Sequence, residues 1–140
     1  TIYSSLGSIN SKGIYLNKKK DSLWTHYSNT GSIVSKEFYV EGVLNGQALY
    51  YYNNGNVSEK YHYSNSLKNG LSEIFYKSGF VSARCMYLNN QLNGTAEYYY
   101  DKINQLESTG RYTKGVKDSV WIFFNELGDT LKIVNYSALD

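Results

Sequence analysis

At 140 residues the chain has the size of one ordinary domain, and 41% hydrophobic with 19% charged residues is a folded rather than a disordered balance. A net charge of +2 is too small to imply nucleic acid as a partner on electrostatic grounds, so none is expected, and the single Cys85 excludes an intrachain disulfide and any cysteine-based zinc site. The bias is 16 Tyr against 5 Phe with no Pro. Tyrosine has an apolar ring and a polar tip, so a thin sheet with two wet sides is expected rather than a thick, dry core.

Read along the chain, six tyrosines recur in one register: Tyr15, Tyr39, Tyr63, Tyr87, Tyr112 and Tyr136, with steps of 24, 24, 24, 25 and 24 residues. Eight residues upstream of each stand Gly7, Gly31, Gly55, Gly79, Asn104 and Gly128. A fixed period of this length marks a repeat architecture. In the clearest copy, Leu49 to Tyr52 meets Asn53-Asn54-Gly55-Asn56 and then a second β-prone run from Val57 to Tyr63. Asn-Gly between such runs predicts a hairpin with a two-residue type I′ turn. The other copies turn at Asn29-Thr30-Gly31, Lys77-Ser78-Gly79 and Glu126-Leu127-Gly128. Asp101 to Asn104 carries one extra residue, which predicts a longer loop or a bulge.

Between hairpins, turns are expected at Leu44-Asn45-Gly46, Lys68-Asn69-Gly70 and Leu92-Asn93-Gly94, with Lys20-Asp21-Ser22 and Lys117-Asp118-Ser119 as variants. The hairpins then span about 1–15, 23–39, 47–63, 71–87, 95–112 and 120–136. No stretch shows a 3.6-residue apolar period. The fold class is all-β: one domain over 1–140, an elongated antiparallel meander sheet of about six β-hairpin repeats.

A two-residue turn at Asn54-Gly55 sets Tyr52 opposite Val57, Tyr50 opposite Glu59, Ala48 opposite Tyr61 and Gly46 opposite Tyr63. Each register tyrosine after Tyr15 then covers a glycine or serine, a device that stabilises a bare strand position. Alternation divides the side chains into two surfaces. Face one carries the tyrosine column, Ile9, Ile33, Val57, Val81 and Leu106, together with Trp24, Tyr50, Tyr52, Ile74, Tyr76, Tyr98, Tyr100, Trp121 and Phe123. Face two carries Tyr3, Tyr27, Tyr51, Phe75, Tyr99 and Phe124 beside a basic row, Lys12, Lys36, Lys60 and Arg84. Glu73 and Glu97 lie on that face, where they are expected to partner lysines across the strands.

The spacing Tyr39 to Gly46, Tyr63 to Gly70 and Tyr87 to Gly94, with aromatic pairs Tyr50-Tyr51, Phe75-Tyr76 and Tyr98-Tyr99, resembles the MORN repeat. It is most similar to the bacterial variant form found in proteins described as antitoxin components. The usual Gly-x-Gly opening is replaced by Gly46-Gln47-Ala48, Gly70-Leu71-Ser72 and Gly94-Thr95-Ala96, which favours the variant class. The resemblance spans about Tyr3 to Tyr136 and implies an elongated scaffold for interaction, without chemistry.

His26 and His62 fall on opposite faces and share no ligand spacing with Cys85, so neither metal nor cofactor is expected. No phosphate loop or nucleophile elbow is present, and no catalytic residue is assigned. The expected binding surface is the aromatic one: Trp24, Tyr50, Tyr52, Tyr76, Tyr98, Tyr100 and Trp121, offering rigid contact area to a protein partner. Envelope, glycan or lipid-surface binding is the alternative. No apolar run approaches the roughly 18 residues of a membrane span. The end strands carry no distinct cap near Thr1 or Asp140, so edge-to-edge self-association, or further sequence beyond this stretch, is expected. An exported or envelope location is favoured, in a bacterial style of composition.

Overall fold

The computed structural model describes residues 1–5 and 7–138. Leu6 in the first hairpin, and Leu139 and Asp140 at the chain end, lie outside the described residues. Thirteen strands form a single antiparallel sheet: β1 (Ile2–Tyr3), β2 (Ile9–Leu16), β3 (Lys19–Tyr27), β4 (Ile33–Val40), β5 (Val43–Tyr51), β6 (Val57–Ser64), β7 (Leu67–Lys68), β8 (Gly70–Phe75), β9 (Val81–Leu88), β10 (Gln91–Tyr99), β11 (Leu106–Thr113), β12 (Val116–Phe124) and β13 (Thr130–Asn135). They pair in chain order, with the short β7 beside β6, and a 3-10 turn follows over Tyr136–Ala138. No α-helix occurs among the described residues.

The chain reverses at different residues from those expected. Between hairpins it turns at 17–18, 41–42, 65–66, 89–90 and 114–115, where both residues have positive φ: 48° and 64° at Asn17 and Lys18, 49° and 86° at Glu41 and Gly42. These are the two-residue reversals whose twist matches the strands they join. Leu44-Asn45-Gly46 and its equivalents therefore lie inside strands, except that Asn69 forms the break between β7 and β8. There the register slips, and the position after each Asn or Asp is left-handed: Ser22 (59°), Gly46 (114°), Gly70 (88°), Gly94 (115°) and Ser119 (58°). The bulge has a use. The first four leave a carbonyl that the next repeat's turn satisfies, through Gly42 N–H to Lys20 O (2.7 Å), Ser66 to Leu44 (2.8 Å), Asn90 to Lys68 (3.0 Å) and Gly115 to Leu92 (2.8 Å).

The opposite ends of the hairpins are also stitched. Asn54-Gly55 is not a two-residue turn: Gly55 N–H donates to Tyr52 O (2.9 Å) and Tyr52 N–H to Asn56 O (2.8 Å), so the loop is Asn53-Asn54-Gly55. Gly55 takes the left-handed corner at φ 87°. The same pair of bonds recurs at Ser28–Ser32, Tyr76–Phe80 and Asn125–Asp129. In the fifth copy the loop is one residue longer, closed by Tyr100 N–H to Gln105 O, as the 25-residue step predicts. From three successive tips a phenol reaches to the next tip's backbone: Tyr52 Oη to Phe75 O (2.7 Å), Tyr76 Oη to Tyr99 O (2.7 Å) and Tyr100 Oη to Phe124 O (2.8 Å).

Behind each tip one residue is extra on the second strand: Asn10, Val34, Ser58, Ser82, Glu107 and Leu131. Past that bulge, Tyr50 faces Glu59, Ala48 faces Tyr61 and Gly46 faces Tyr63, as expected. At the tip side, Val57 faces Tyr51 rather than Tyr52. One inserted residue exchanges faces. Ile9, Ile33, Val57, Val81 and Leu106 therefore belong with Tyr3, Tyr27, Tyr51, Phe75 and Tyr99 on face two, correcting their assignment to face one.

The core is one layer deep. Trp24, Ala48, Ala96 and Trp121 are fully buried, all on face one. The two tryptophans sit 97 residues apart in the first and fifth full hairpins and use one device. Each ring lies flat on a neighbouring glycine, Gly13 or Gly110, and its indole N–H donates to the next carbonyl, Ile14 O or Arg111 O, both at 3.1 Å. A methyl group at either glycine would fall inside the ring. Gly110→Ala is therefore expected to cost about 1–3 kcal/mol by overpacking, while Gly115→Ala, strained but meeting no neighbour, is expected to cost about 1 kcal/mol. Urea denaturation followed by tryptophan fluorescence measures both, and a smaller loss at Gly110 than at Gly115 would refute the packing account.

Candidate functional site: the aromatic face

Face one is built in two rows across the strands. The register tyrosines form one, and four of them lie opposite Ser22, Gly46, Gly70 and Gly94 as expected. Tyr136 leaves the ladder for the 3-10 turn, where its ring meets Trp121 at 6.4 Å and 83°. The second row mixes sizes, Gly13, Trp24, Glu37, Ala48, Tyr61, Ser72, Cys85, Ala96, Gly110 and Trp121, and each of its rings has a small neighbour to lean over: Gly13 beside Trp24, Ala48 beside Tyr61 and Gly110 beside Trp121. Edge-to-face contacts join the rows: Tyr15–Trp24 at 4.9 Å, Tyr61–Tyr87 at 6.1 Å and Tyr112–Trp121 at 5.2 Å.

The seven residues expected to bind a partner divide into three kinds. Trp24 and Trp121 are fully buried and cannot touch a ligand, which corrects their place in the surface. Tyr52, Tyr76 and Tyr100 are half-buried, with their hydroxyls committed to the tip stitches. Tyr50 and Tyr98 are half-buried in the middle of the face. Tyr50 Oη lies 3.2 Å from Glu37 Oε1, and Tyr98 Oη 3.2 Å from Tyr112 Oη. Burial first, then hydrogen bonding to acidic neighbours or phenols, pushes both phenols well above their ordinary range, so they stay neutral donors at any physiological pH.

Three lysines on this face escaped expectation. Lys20 stands 4.6 Å over Trp24 and 4.8 Å over Tyr39, Lys68 lies 3.4 Å over Tyr61, and Lys117 lies 4.3 Å over Trp121. Each cation caps a ring. Burial lowers the Lys68 ammonium's pKa, with Glu59 pulling the other way. The signal was present in the repeat itself: the position reads Lys20, Leu44, Lys68, Leu92, Lys117, alternating an ammonium with an apolar side chain. Glu37 is the other unforeseen element. It accepts from Tyr39 Oη at 2.8 Å, and His26 Nε2 stands 3.3 Å away without hydrogen-bond geometry. Burial raises the Cys85 pKa, which leaves an unreactive thiol.

Face two holds the basic row in the expected register, with Lys60 opposite Glu73, Glu73 opposite Arg84 and Arg84 opposite Glu97. Glu73 takes Lys60 Nζ at 3.1 Å and Arg84 Nε at 3.2 Å, the partnership anticipated for it. Glu97 instead accepts from Tyr99 Oη at 2.7 Å, because the neighbouring ring reaches it first. His62 and Glu73 both line an open depression of about 270 Å³ beside β6 and β8. Glu73 is unsuited to acid–base work there. Burial would raise its pKa, but the hydrogen bonds from Lys60 and Arg84 outweigh this and hold the carboxyl below the usual range. No cluster of three or more metal-binding side chains occurs among the described residues. No helix among them is long and apolar enough to cross a membrane.

No protein-family model matches the chain, and no curated protein matches it in sequence.

Because the folded Glu73 carboxyl titrates below its unfolded value, its contribution to stability is full above the ordinary carboxylate range and is lost as pH falls through the folded value. Glu73→Gln is therefore expected to destabilise the protein at pH 7 and to match it near pH 2. Thermal melts across that range check the sign.

Proposed function

We propose that this chain is a non-enzymatic repeat scaffold of the MORN type, in its bacterial variant form, engaging a protein through the aromatic side of its sheet. The observation supporting this most directly is the continuous face of half-buried rings, from Tyr39 to Tyr112, in a sheet with no second layer over it. Such rings are held by hydrogen bonds and cation contacts, so little entropy is lost when a partner covers them. The hydroxyls of Tyr39, Tyr50, Tyr98 and Tyr112 on this face are already partnered within the protein, whereas the buried His26 Nε2 is not. Tyr50 and Tyr98 are the central contacts in this reading, with Tyr76 at the rim.

A second reading rests on face two. Lys12 and Lys36 make no ion pair among the described residues, and they stand about 10 Å apart, two strand spacings. That spacing and charge suit an anionic envelope or lipid surface.

Loss of a cross-linked partner in the variant combining Tyr76→Ala with Tyr98→Ala, with retention in the variant combining Lys12→Gln with Lys36→Gln, is the expected result. The opposite pattern would transfer the binding surface to face two. Vesicles of anionic lipid that sediment the wild type only at low salt would support the second reading.

A further inference from the structure

One carboxylate of the aromatic face stands without a cation. Glu37 lies in the second row of face one with its side chain 15% exposed, and it makes no ion pair with lysine or arginine among the described residues. Glu73 on face two is covered to a similar degree, at 18%, and holds both Lys60 and Arg84. A carboxylate withdrawn from water is ordinarily paired with a cation and hydrogen-bonded on its remaining lone pairs. Glu37 has less than that. Oε1 accepts from Tyr50 and Oε2 from Tyr39, one bond on each oxygen, which leaves acceptor capacity on both. His26 Nε2 stands 3.3 Å from Oε2 without hydrogen-bond geometry, and it is a cation only when protonated. Lys20 lies over Trp24 and Tyr39 and does not come within ion-pair distance of Glu37.

The repeat itself shows that a lysine could have stood here. Lys20, Lys68 and Lys117 each place an ammonium over a ring of the second row, whereas the same position is Leu44 and Leu92 in the alternate copies. Leu44 pairs with Tyr39 on the two strands that also pair Glu37 with Ala48. The copy whose second row carries an acid is therefore one of the two without the ammonium. The rings beside it are uncapped as well: no lysine or arginine lies over Tyr50 or Tyr63 among the described residues. Burial, and after it the neighbouring Glu37 and Tyr63 groups, raises the pKa of both Tyr39 and Tyr50. Three neutral phenols thus surround one carboxylate.

We propose that Glu37, with the rings of Tyr50 and Tyr63, receives an arginine side chain of the partner protein. This rests on the reading that the aromatic face engages a protein, and it supplies the chemistry of the contact. A guanidinium suits the site better than an ammonium. Its planar fork donates to both oxygens of a carboxylate together, and its flat side stacks on an aromatic ring. The carboxylate draws the charge, and the rings add a cation–π contact that is stronger where water is excluded. Leu44 gives the aliphatic stem of such a side chain an apolar neighbour, where a lysine would repel its head.

Titration of the wild-type chain at about pH 8 with N-acetyl-arginine amide, followed by NMR of the tyrosine ring signals, tests this, with N-acetyl-citrulline amide as the neutral isostere. Saturable shifts at Tyr50 and Tyr63, in the roughly millimolar range of a single side chain, are expected with the arginine compound alone. Glu37→Gln should weaken that binding at least ten-fold, and Glu97→Gln on the opposite face should leave it unchanged. Leu44→Lys places the chain's own ammonium in the position that Lys68 holds, and should weaken binding as much while every group of the site is kept. Circular dichroism confirms that the variants fold, and Leu44→Lys decides the matter if Glu37→Gln does not. An absence of saturable shifts at Tyr50 and Tyr63, an equal response to the citrulline compound, or unchanged binding in Leu44→Lys would each overturn the assignment. Arginine binding without a partner captured through Tyr76 and Tyr98 would keep the guanidinium site and remove the partner reading. Capture of a partner with no arginine binding would do the reverse.

Discussion

A sheet with one layer has no opposing layer to bury its apolar side chains, so every covered residue must be covered by its own neighbours. That constraint explains most of this structure. Trp24 and Trp121 are hidden by lying on glycine backbone, with a tyrosine edge on one side and a lysine over the ring. Covering a ring with an ammonium stem removes apolar surface from water while the charge keeps its own hydration. The small neighbour beside each ring of the second row follows from the same need, since a large side chain can lean only where its neighbour is small. Tyrosine is favoured over phenylalanine because many of the rings reach the edge of the layer, where the hydroxyl finds a carbonyl (Tyr52, Tyr76, Tyr100), a carboxylate (Tyr39, Tyr50, Tyr99) or another phenol (Tyr98, Tyr112).

The second consequence is that repeats must be tied to each other as well as closed on themselves. An isolated hairpin is marginal in water. Here the turn side is tied by backbone N–H groups to the preceding bulge, and the tip side by phenols to the following tip. At about 1 kcal/mol net for each bond, neither set alone would hold a sheet of this length. Spread over every repeat boundary they fix the position of each hairpin against the next. The outer copies are less strongly tied: Ser28 and Asn125 replace the reaching tyrosine and close their own loops instead. Asn125 Oδ1 accepts from both Leu127 and Asp129 backbone N–H groups, so the last tip is self-contained.

The period, the strand count per repeat and the central register were legible because they rest on spacing, and a 24-residue beat survives uncertainty at any one turn. Tyr63 opposite Gly46 follows from counting alone. The turn positions were not legible, for a definite reason. Both Glu41-Gly42 and Asn45-Gly46 have the composition of a left-handed turn, and composition does not say which of two adjacent candidates reverses the chain and which becomes a bulge. The choice falls to the tertiary bond from Gly42 N–H to Lys20 O, which only one arrangement can make. The bulge at Ser58 was invisible for a similar reason. A serine in a β-prone run gives no local signal that it is extra, yet it moves Val57 and its equivalents to the other face. Trp24 and Trp121 were placed on the correct face but given the wrong role. Gly13 and Gly110 were the available clue, because glycine inside a strand marks close approach by another group.

These covering and tying interactions also decide what remains for a partner. A hydroxyl bonded to the next repeat cannot donate to a ligand, so Tyr52, Tyr76 and Tyr100 offer only ring surface. The same bond keeps that surface in one place, and a ring already immobilised gives contact area at little further entropic cost. Tyr50 and Tyr98 combine this rigidity with a central position on the face. In the proposed reading, stability and recognition draw on the same tyrosines. Replacing one of them with alanine removes a tie as well as a contact, whereas phenylalanine removes only the tie, and the difference between the two substitutions separates scaffold from surface.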